Sequence, residues 1–334
     1  MPIRVAVIGA GTWGASLVRV VAAADGAALT WVCDRDPAAL ARAHAVAPGA
    51  RLTERVDDVL TAADVDAVVV ATPSSTHAEL ALRALATGRH VLVEKPMALS
   101  VADAEAVATA AAASGAVLLV GHLMLYHPVV ERLRALIDRG DLGDLYYLSS
   151  TRVNLGRLRS DENALWSLGP HDLSMIDYLV RAPITSVTAR GQSFLQPGIP
   201  DVVFVTLGFA PTPGGPSLAH VHVSWLNPRK ERRMVVVGAK KMVEFDDVAP
   251  DKLHIYDRGY DRPPAFASFA EYLTLRNGDV TIPQVPMVEP LVAEVAHFLD
   301  CIAGRAVPRT DAASGVRVVR MLAAAQASLD TQPG

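Results

Sequence analysis

The stretch Ile3-Arg4-Val5-Ala6-Val7-Ile8-Gly9-Ala10-Gly11-Thr12-Trp13-Gly14 decides the fold. Ile3–Ile8 reads as a short, largely apolar strand, and it runs directly into a Gly-x-Gly-x-x-Gly turn that opens a helix at Gly14. In such a turn Gly9 permits the sharp reversal, Gly11 lets the backbone approach a pyrophosphate, and Gly14 lets helix and strand pack closely. The helix N-terminus then presents unpaired N–H groups to the anion. A second strand, Leu29–Cys33, leads to Asp34, twenty residues after Gly14. An acid there is placed to accept hydrogen bonds from the adenosine ribose hydroxyls. Gly9, Gly11, Thr12, Trp13, Gly14, Asp34 and Arg35 are therefore the expected cofactor-binding positions. Asp34 favours NAD over NADP because its charge opposes a 2′-phosphate, although an arginine such as Arg35 can accommodate one.

Outward from this turn, strand-length apolar runs at Ala67–Ala71, His90–Val93 and Val117–Val120 alternate with helical stretches at Pro37–Val46, His77–Thr87 and Val101–Ser114. Short apolar strands separated by helices indicate a parallel sheet covered on both faces. Gly88 reads as a helix C-terminal glycine, and Ser100 with Asp103 as a capping-box-like start. The loop Ala71–His77 follows a strand's carboxyl end, where doubly wound sheets place ligands. Thr72, Pro73 and His77 join the cofactor set on that basis, as does Glu94 at the end of the next strand. Glu94 and Lys95 end a further strand at the same sheet edge. A lysine there can move a proton if burial or a nearby cation lowers its pKa.

The pattern changes after Gly121. A helix at Pro128–Arg139 is followed by strand-like runs at Leu145–Val153, Ser186–Phe194, Asp201–Gly208, Ser217–Trp225, Arg232–Val237 and Lys241–Asp246, with a helical insertion at Asn163–Val180. Short Gly/Pro/Asn joins predict an antiparallel sheet. Pro250–Val285 reads as a long irregular loop, and helices at Glu289–Ile302 and Asp311–Leu329 follow. The expected class is α/β, with a Rossmann domain over residues 1–121 and a substrate-binding and oligomerisation domain over residues 122–334. The terminal helix is free to pack back on the first domain.

Composition narrows the function classes. The chain has 334 residues and a net charge of −4 from 31 basic and 35 acidic side chains, which argues against an electrostatic nucleic-acid binder. Two cysteines, Cys33 and Cys301, cannot build a disulfide framework or a cysteine-rich zinc site. No apolar run is long enough to span a membrane and no signal peptide is apparent, so a cytoplasmic location is expected. His122, Tyr126 and His127 lack the convergent spacing of a metal site, and no metal is expected. His122 and Tyr126, just after the last parallel strand, are read as lining a substrate cleft.

The glycine turn, the Ala71–His77 loop, the run Gly88–Pro96 and the later Pro170-His171-Asp172 together resemble the Gfo/Idh/MocA family of sugar and cyclitol dehydrogenases over nearly the whole chain. The resemblance implies hydride transfer between nicotinamide and a carbinol, with Lys95 and His171 as the catalytic pair. One is the base and the other holds the developing alkoxide, and the sequence leaves open which is which. The family has an aspartate four residues before the histidine, where this chain has Ser167; Ser167 can hydrogen-bond a substrate but carries no charge. The stretches Asn154–Asp172 and His222–Gly238 resemble the branch containing UDP-N-acetylglucosamine 3-dehydrogenases. Asn154, Arg157, Asn163, Trp166, Ser167 and Asp172 are then expected substrate-binding residues, since arginine can grip a diphosphate and asparagine can read sugar hydroxyls. A free glycoside, a cyclitol or a 3-keto sugar is the alternative substrate, and a non-catalytic nucleotide-sensing regulator is the alternative class. Val221, Val223, Trp225, Val235 and Val237 alternate as inward or interface positions, which predicts a homodimer or homotetramer through the antiparallel sheet.

Overall fold

The computed structural model describes residues 1–156, 158–261 and 273–331. They divide into two compact units, Met1–Tyr126 with Val288–Ala323, and His127–Met287 with Ala324 onward. In the first unit the elements run β1 (Ile3–Ile8), α1 (Gly14–Ala23), β2 (Ala27–Cys33), α2 (Pro37–Val46), β3 (Arg51–Thr53), α3 (Val56–Thr61), β4 (Ala67–Val70), α4 (His77–Ala86), β5 (His90–Glu94), α5 (Val101–Ser114) and β6 (Leu118–Gly121). The strands form one parallel sheet in the order β3-β2-β1-β4-β5-β6. That order reverses direction between β1 and β4, which makes the switch point where doubly wound sheets bind nucleotides. The strands are apolar because both faces are covered: Ala67–Val70 and Val91–Val93 are at most 1% exposed. Local chemistry sets the helix ends. The Ser100 hydroxyl accepts from the Asp103 N–H at 3.1 Å to start α5, and Gly115 ends it at φ +66°.

The short strand β3 and helix α3 add to the expected pattern. Arg51–Thr53 is too short and too exposed to register as an apolar run.

The second unit contains α6 (Pro128–Asp138), β7 (Leu145–Val153), α7 (Ala164–Val180), β8 (Ile184–Gln192), β9 (Val202–Phe209), β10 (Leu218–Ser224), β11 (Glu231–Gly238), β12 (Met242–Asp246), β13 (Leu253–Asp261) and β14 (Thr274–Thr281). Its eight strands are ordered β14-β13-β12-β11-β7-β10-β9-β8. The sheet is mixed and mostly antiparallel: β7 and β10 are parallel neighbours. The expected loop over Pro250–Val285 is corrected by β13 and β14, which pair antiparallel at the edge of the sheet. They were hidden because β14 buries no residue and β13 only Leu253 and Gly259, so neither shows the apolar alternation of a half-buried strand. Two helices complete the chain, α8 (Pro290–Ile302) and α9 (Ala312–Asp330).

A buried ion pair ties α7 to the second sheet. Asp172, 1% exposed, accepts from Ser150 Oγ at 2.6 Å and from Arg152 Nε at 2.6 Å. Ser150 and Arg152 therefore mark the sheet face that α7 covers. Val221 pairs with Ser150 and Val223 with Arg152, so both valines lie on this covered face. Val235 pairs with Ser149 and Val237 with Tyr147, one residue out of phase, and take the opposite face. The sequence pattern had grouped these valines as one stripe; the register splits them. The uncovered face is instead mixed, with Tyr147, Phe204, His220 and His222, and the Phe204 and His222 rings stack at 4.3 Å.

Removing one partner of a buried ion pair strands the other charge. Asp172→Ala should destabilise the folded chain by about 3–5 kcal/mol in urea unfolding followed by circular dichroism.

Candidate functional site

The glycine turn sits at the carboxyl end of β1, and its glycines are required by different neighbours. Gly9 has φ +95°, and a Cβ there would lie 2.6 Å from the Ala71 carbonyl. A Cβ on Gly14 would lie 2.0 Å from the Gly9 carbonyl oxygen. Gly11 differs, because a Cβ there meets no protein atom within 4 Å. Packing thus fixes Gly9 and Gly14, while Gly11 faces open space of the kind a pyrophosphate needs. The Ala10 N–H donates to Asp34 Oδ2 at 2.6 Å, and the Asp36 N–H to Asp34 Oδ1 at 2.8 Å. Both carboxylate oxygens are anchored by backbone, and their remaining lone pairs suit ribose hydroxyls. Arg35 is exposed beside it. This cradle and acid fit a nicotinamide dinucleotide.

The loop after β4 and the end of β5 are joined through His77. Its ring is 2% exposed, with Nδ1 2.8 Å from the Pro96 carbonyl oxygen and Nε2 2.8 Å from that of Thr72. Burial holds the ring below the ordinary histidine range against these two carbonyls. His77 therefore locks the Thr72–Pro73 turn against the segment after Lys95 instead of facing outward. Thr72 Oγ1 lies 2.7 Å from Thr76 Oγ1, and the Lys95–Pro96 peptide bond is cis.

Glu94 is buried at the end of β5. The Trp13 indole N–H donates to Glu94 Oε1 at 2.5 Å, and the Lys95 N–H to Oε2 at 3.1 Å. The glycine turn and the Glu94-Lys95 corner are thus hydrogen-bonded to each other. Glu94 itself faces protein donors. Lys95 is half-buried. His122, 1% exposed, and Tyr126, 2% exposed, are core residues of this unit, and the expectation that they line an open cleft does not match that burial. The Tyr126 hydroxyl is 3.1 Å from Thr310 Oγ1.

In the second unit α7 sorts its residues by face. Ser167 and His171, four apart, share one side and are half-buried. Asp172 turns to the sheet and carries the Arg152 pair, so its polar atoms are engaged structurally. Asn163 caps the helix by accepting from the Trp166 N–H at 3.1 Å, and Gln326 Oε1 accepts from Asn163 Nδ2 at 2.8 Å and from Trp166 Nε1 at 3.2 Å. Sequence reading missed Gln326, for which a lone glutamine on an alanine-rich helix gives no signal. Asn154, half-buried, exchanges backbone hydrogen bonds with Ser224 and Asn227. Arg157 lies outside the described residues. Among the described residues no group of three or more His, Cys, Asp or Glu side chains is placed to hold a metal, and no helix is long and apolar enough to cross a membrane.

Residues 3–122 match the family described as GFO_IDH_MocA, oxidoreductase family with an NAD-binding Rossmann fold, and residues 130–244 match the GFO/IDH/MocA C-terminal domain. UDP-N-acetylglucosamine 3-dehydrogenase of Acidithiobacillus ferrooxidans is 30% identical over 77% of this chain and 76% of its own length. The chain belongs to the Gfo/Idh/MocA oxidoreductase family. Within that family, inositol 2-dehydrogenase 2 of Paenarthrobacter aurescens is 36% identical over 62% of this chain and 65% of its own length. The chain spans about three fifths of the length of several such curated relatives. Among solved structures, GenD2 from gentamicin A biosynthesis in complex with NAD superposes with a TM-score of 0.81 at 27% identity, covering 99% of this chain and 95% of that one.

Gly11→Ala separates fold from binding. A Cβ at Gly11 meets no protein atom within 4 Å, so stability should stay within about 0.5 kcal/mol of the parent. NADH affinity, read by fluorescence titration, should fall by roughly tenfold or more, equivalent to about 1.4 kcal/mol.

Proposed function

We propose that this Gfo/Idh/MocA protein is an NAD(H)-dependent dehydrogenase of a secondary alcohol on a sugar or cyclitol ring. The observation that carries the reading is the glycine cradle closed by a backbone-anchored Asp34, with Glu94-Lys95 tied to it through Trp13. Bound nicotinamide supplies the hydride acceptor or donor. The chain's own groups handle the hydroxyl proton, and Lys95 and His171 are the candidates. Neutral imidazole has the more suitable unperturbed pKa for the base, and a lysine ammonium suits the oxygen that gains charge. Ser167, on the side of α7 that carries His171, can hydrogen-bond a ring hydroxyl in either direction. Asp34 supports NAD in preference to NADP, since a 2′-phosphate would meet its charge.

For the substrate, the breadth of the match to UDP-N-acetylglucosamine 3-dehydrogenase favours C3 of a nucleotide-activated sugar. A second reading, an uncharged cyclitol or glycoside, is favoured by the arginines. Arg152 faces Asp172, Arg159 faces Asp161 and Glu162, Arg232 faces Asp247, and Arg233 faces Glu244. Each is already neutralised within the chain and is less available to a diphosphate. The uncovered sheet face with Tyr147, Phe204, His220 and His222 supports a homodimer or homotetramer through that face.

With NAD present, absorbance of the reduced nicotinamide should rise on adding either UDP-N-acetylglucosamine or myo-inositol. A rise with the first only supports the activated sugar, a rise with the second only supports the cyclitol, and no rise in either direction of reaction overturns the dehydrogenase reading. Lys95→Ala and His171→Ala should each lower kcat by about 10²–10⁴-fold while NADH binding persists. Asp34→Ala should narrow the preference for NADH over NADPH, measured as the ratio of the two dissociation constants. Sedimentation at micromolar concentration should show a species larger than the monomer, and Phe204→Glu should shift it toward the monomer.

A further inference from the structure

Helix α8 carries a carboxyl where its sequence calls for an apolar side chain. Leu291, Glu294, Val295 and Phe298 form its buried stripe, and Glu294 is 0% exposed. Neither of its carboxyl oxygens has a hydrogen-bond partner among the described residues. A buried carboxylate without donors or a paired cation neutralises itself by holding a proton. The same unit holds a second buried carboxyl, Glu94, and its charge acts directly on Glu294. A like charge adds to burial in favouring the protonated form of Glu294. Glu94 has two donors, the Trp13 indole and the Lys95 backbone.

We propose that Glu294 is a neutral carboxylic acid, held protonated inside the first unit because its carboxyl is fully enclosed and no donor or cation among the described residues answers a charge there. The surroundings agree. Burial, and then the Glu94 charge, push Glu294 well above the ordinary carboxyl range. Burial pushes Glu94 up as well, but the Trp13 hydrogen bond and Lys95 pull against it. His122 has both ring nitrogens buried without hydrogen-bond partners among the described residues, and burial together with Lys95 pushes it down to about 3, so it adds no positive charge. Tyr126 is raised chiefly by burial and stays protonated, with the Arg309 guanidinium 4.9 Å over its ring and the His297 ring 5.4 Å away. On α8 itself Cys301 is also raised, chiefly by burial. On α1, Arg19 is held at the surface by Glu289.

A carboxyl whose folded pKa exceeds its unfolded value loses stability as pH rises from the unfolded to the folded value. The parent chain and Glu294→Gln should therefore diverge in urea unfolding as pH rises above the ordinary glutamate range. The folding equilibrium constant of Glu294→Gln relative to the parent should grow with pH, by up to about tenfold per unit until Glu294 ionises. A ratio that is flat with pH overturns the proposal. If Glu294→Gln does not fold, carbon NMR of the parent labelled at glutamate Cδ reads the same quantity. One carboxyl resonance should titrate well above the others, and its absence overturns the proposal.

Discussion

The close approach of backbone at the carboxyl end of β1 is the constraint on which the first unit depends. The Gly14 Cα sits so near the Gly9 carbonyl that a methyl group would be 2.0 Å from its oxygen, and Gly9 in turn crowds the Ala71 carbonyl. Helix α1, strand β1 and the end of β4 therefore meet with no side chain between them. The space this saves appears at Gly11, where the turn faces open space. From the same corner the Ala10 N–H reaches Asp34 and the Trp13 indole reaches Glu94. One tight turn thus sets the position of Asp34 and of the strand end that carries Lys95.

Carboxylates are placed with their charges answered in different ways. Asp34 is satisfied by backbone N–H groups, Asp172 by a serine and an arginine, and Glu94 by an indole and a backbone N–H. Each arrangement matches its burial. Asp34 is half-buried and keeps lone pairs for a ligand, whereas Asp172 is enclosed and spends its lone pairs on the sheet. Glu294 is the exception among these, with burial and no donor, and protonation is the inexpensive answer for such a group.

The Rossmann unit was legible because its signals are local. Apolar runs bounded by glycine and capping residues gave β1, β4, β5, α2 and α5 nearly to the residue. The second unit was legible in its central strands and not at its edge. Strands β13 and β14 are solvated, and no burial forces an alternating pattern on them. The parallel pairing of β7 with β10 was also invisible, because strands far apart in sequence choose neighbours by packing. At the site, His77 and Glu94 were picked out by position, and the tertiary structure adds the hydrogen bonds each makes to neighbouring loops and strand ends. His122 and Tyr126 were placed at a cleft by sequence order and lie in the core.

The sequence by itself determined the dinucleotide turn, the acid at Asp34, the order of strands and helices in the first unit, and membership of a family. Those properties depend on backbone geometry that few residues satisfy and on periodicities a few residues long. Tertiary structure alone decided which arginines already face carboxylates, which side of α7 meets the sheet, and which valines are covered. It alone decided that Glu94 is held by Trp13 and that Glu294 is buried without donors. These depend on contacts between residues far apart in the chain, where burial and electrostatics are set by neighbours that no local pattern encodes.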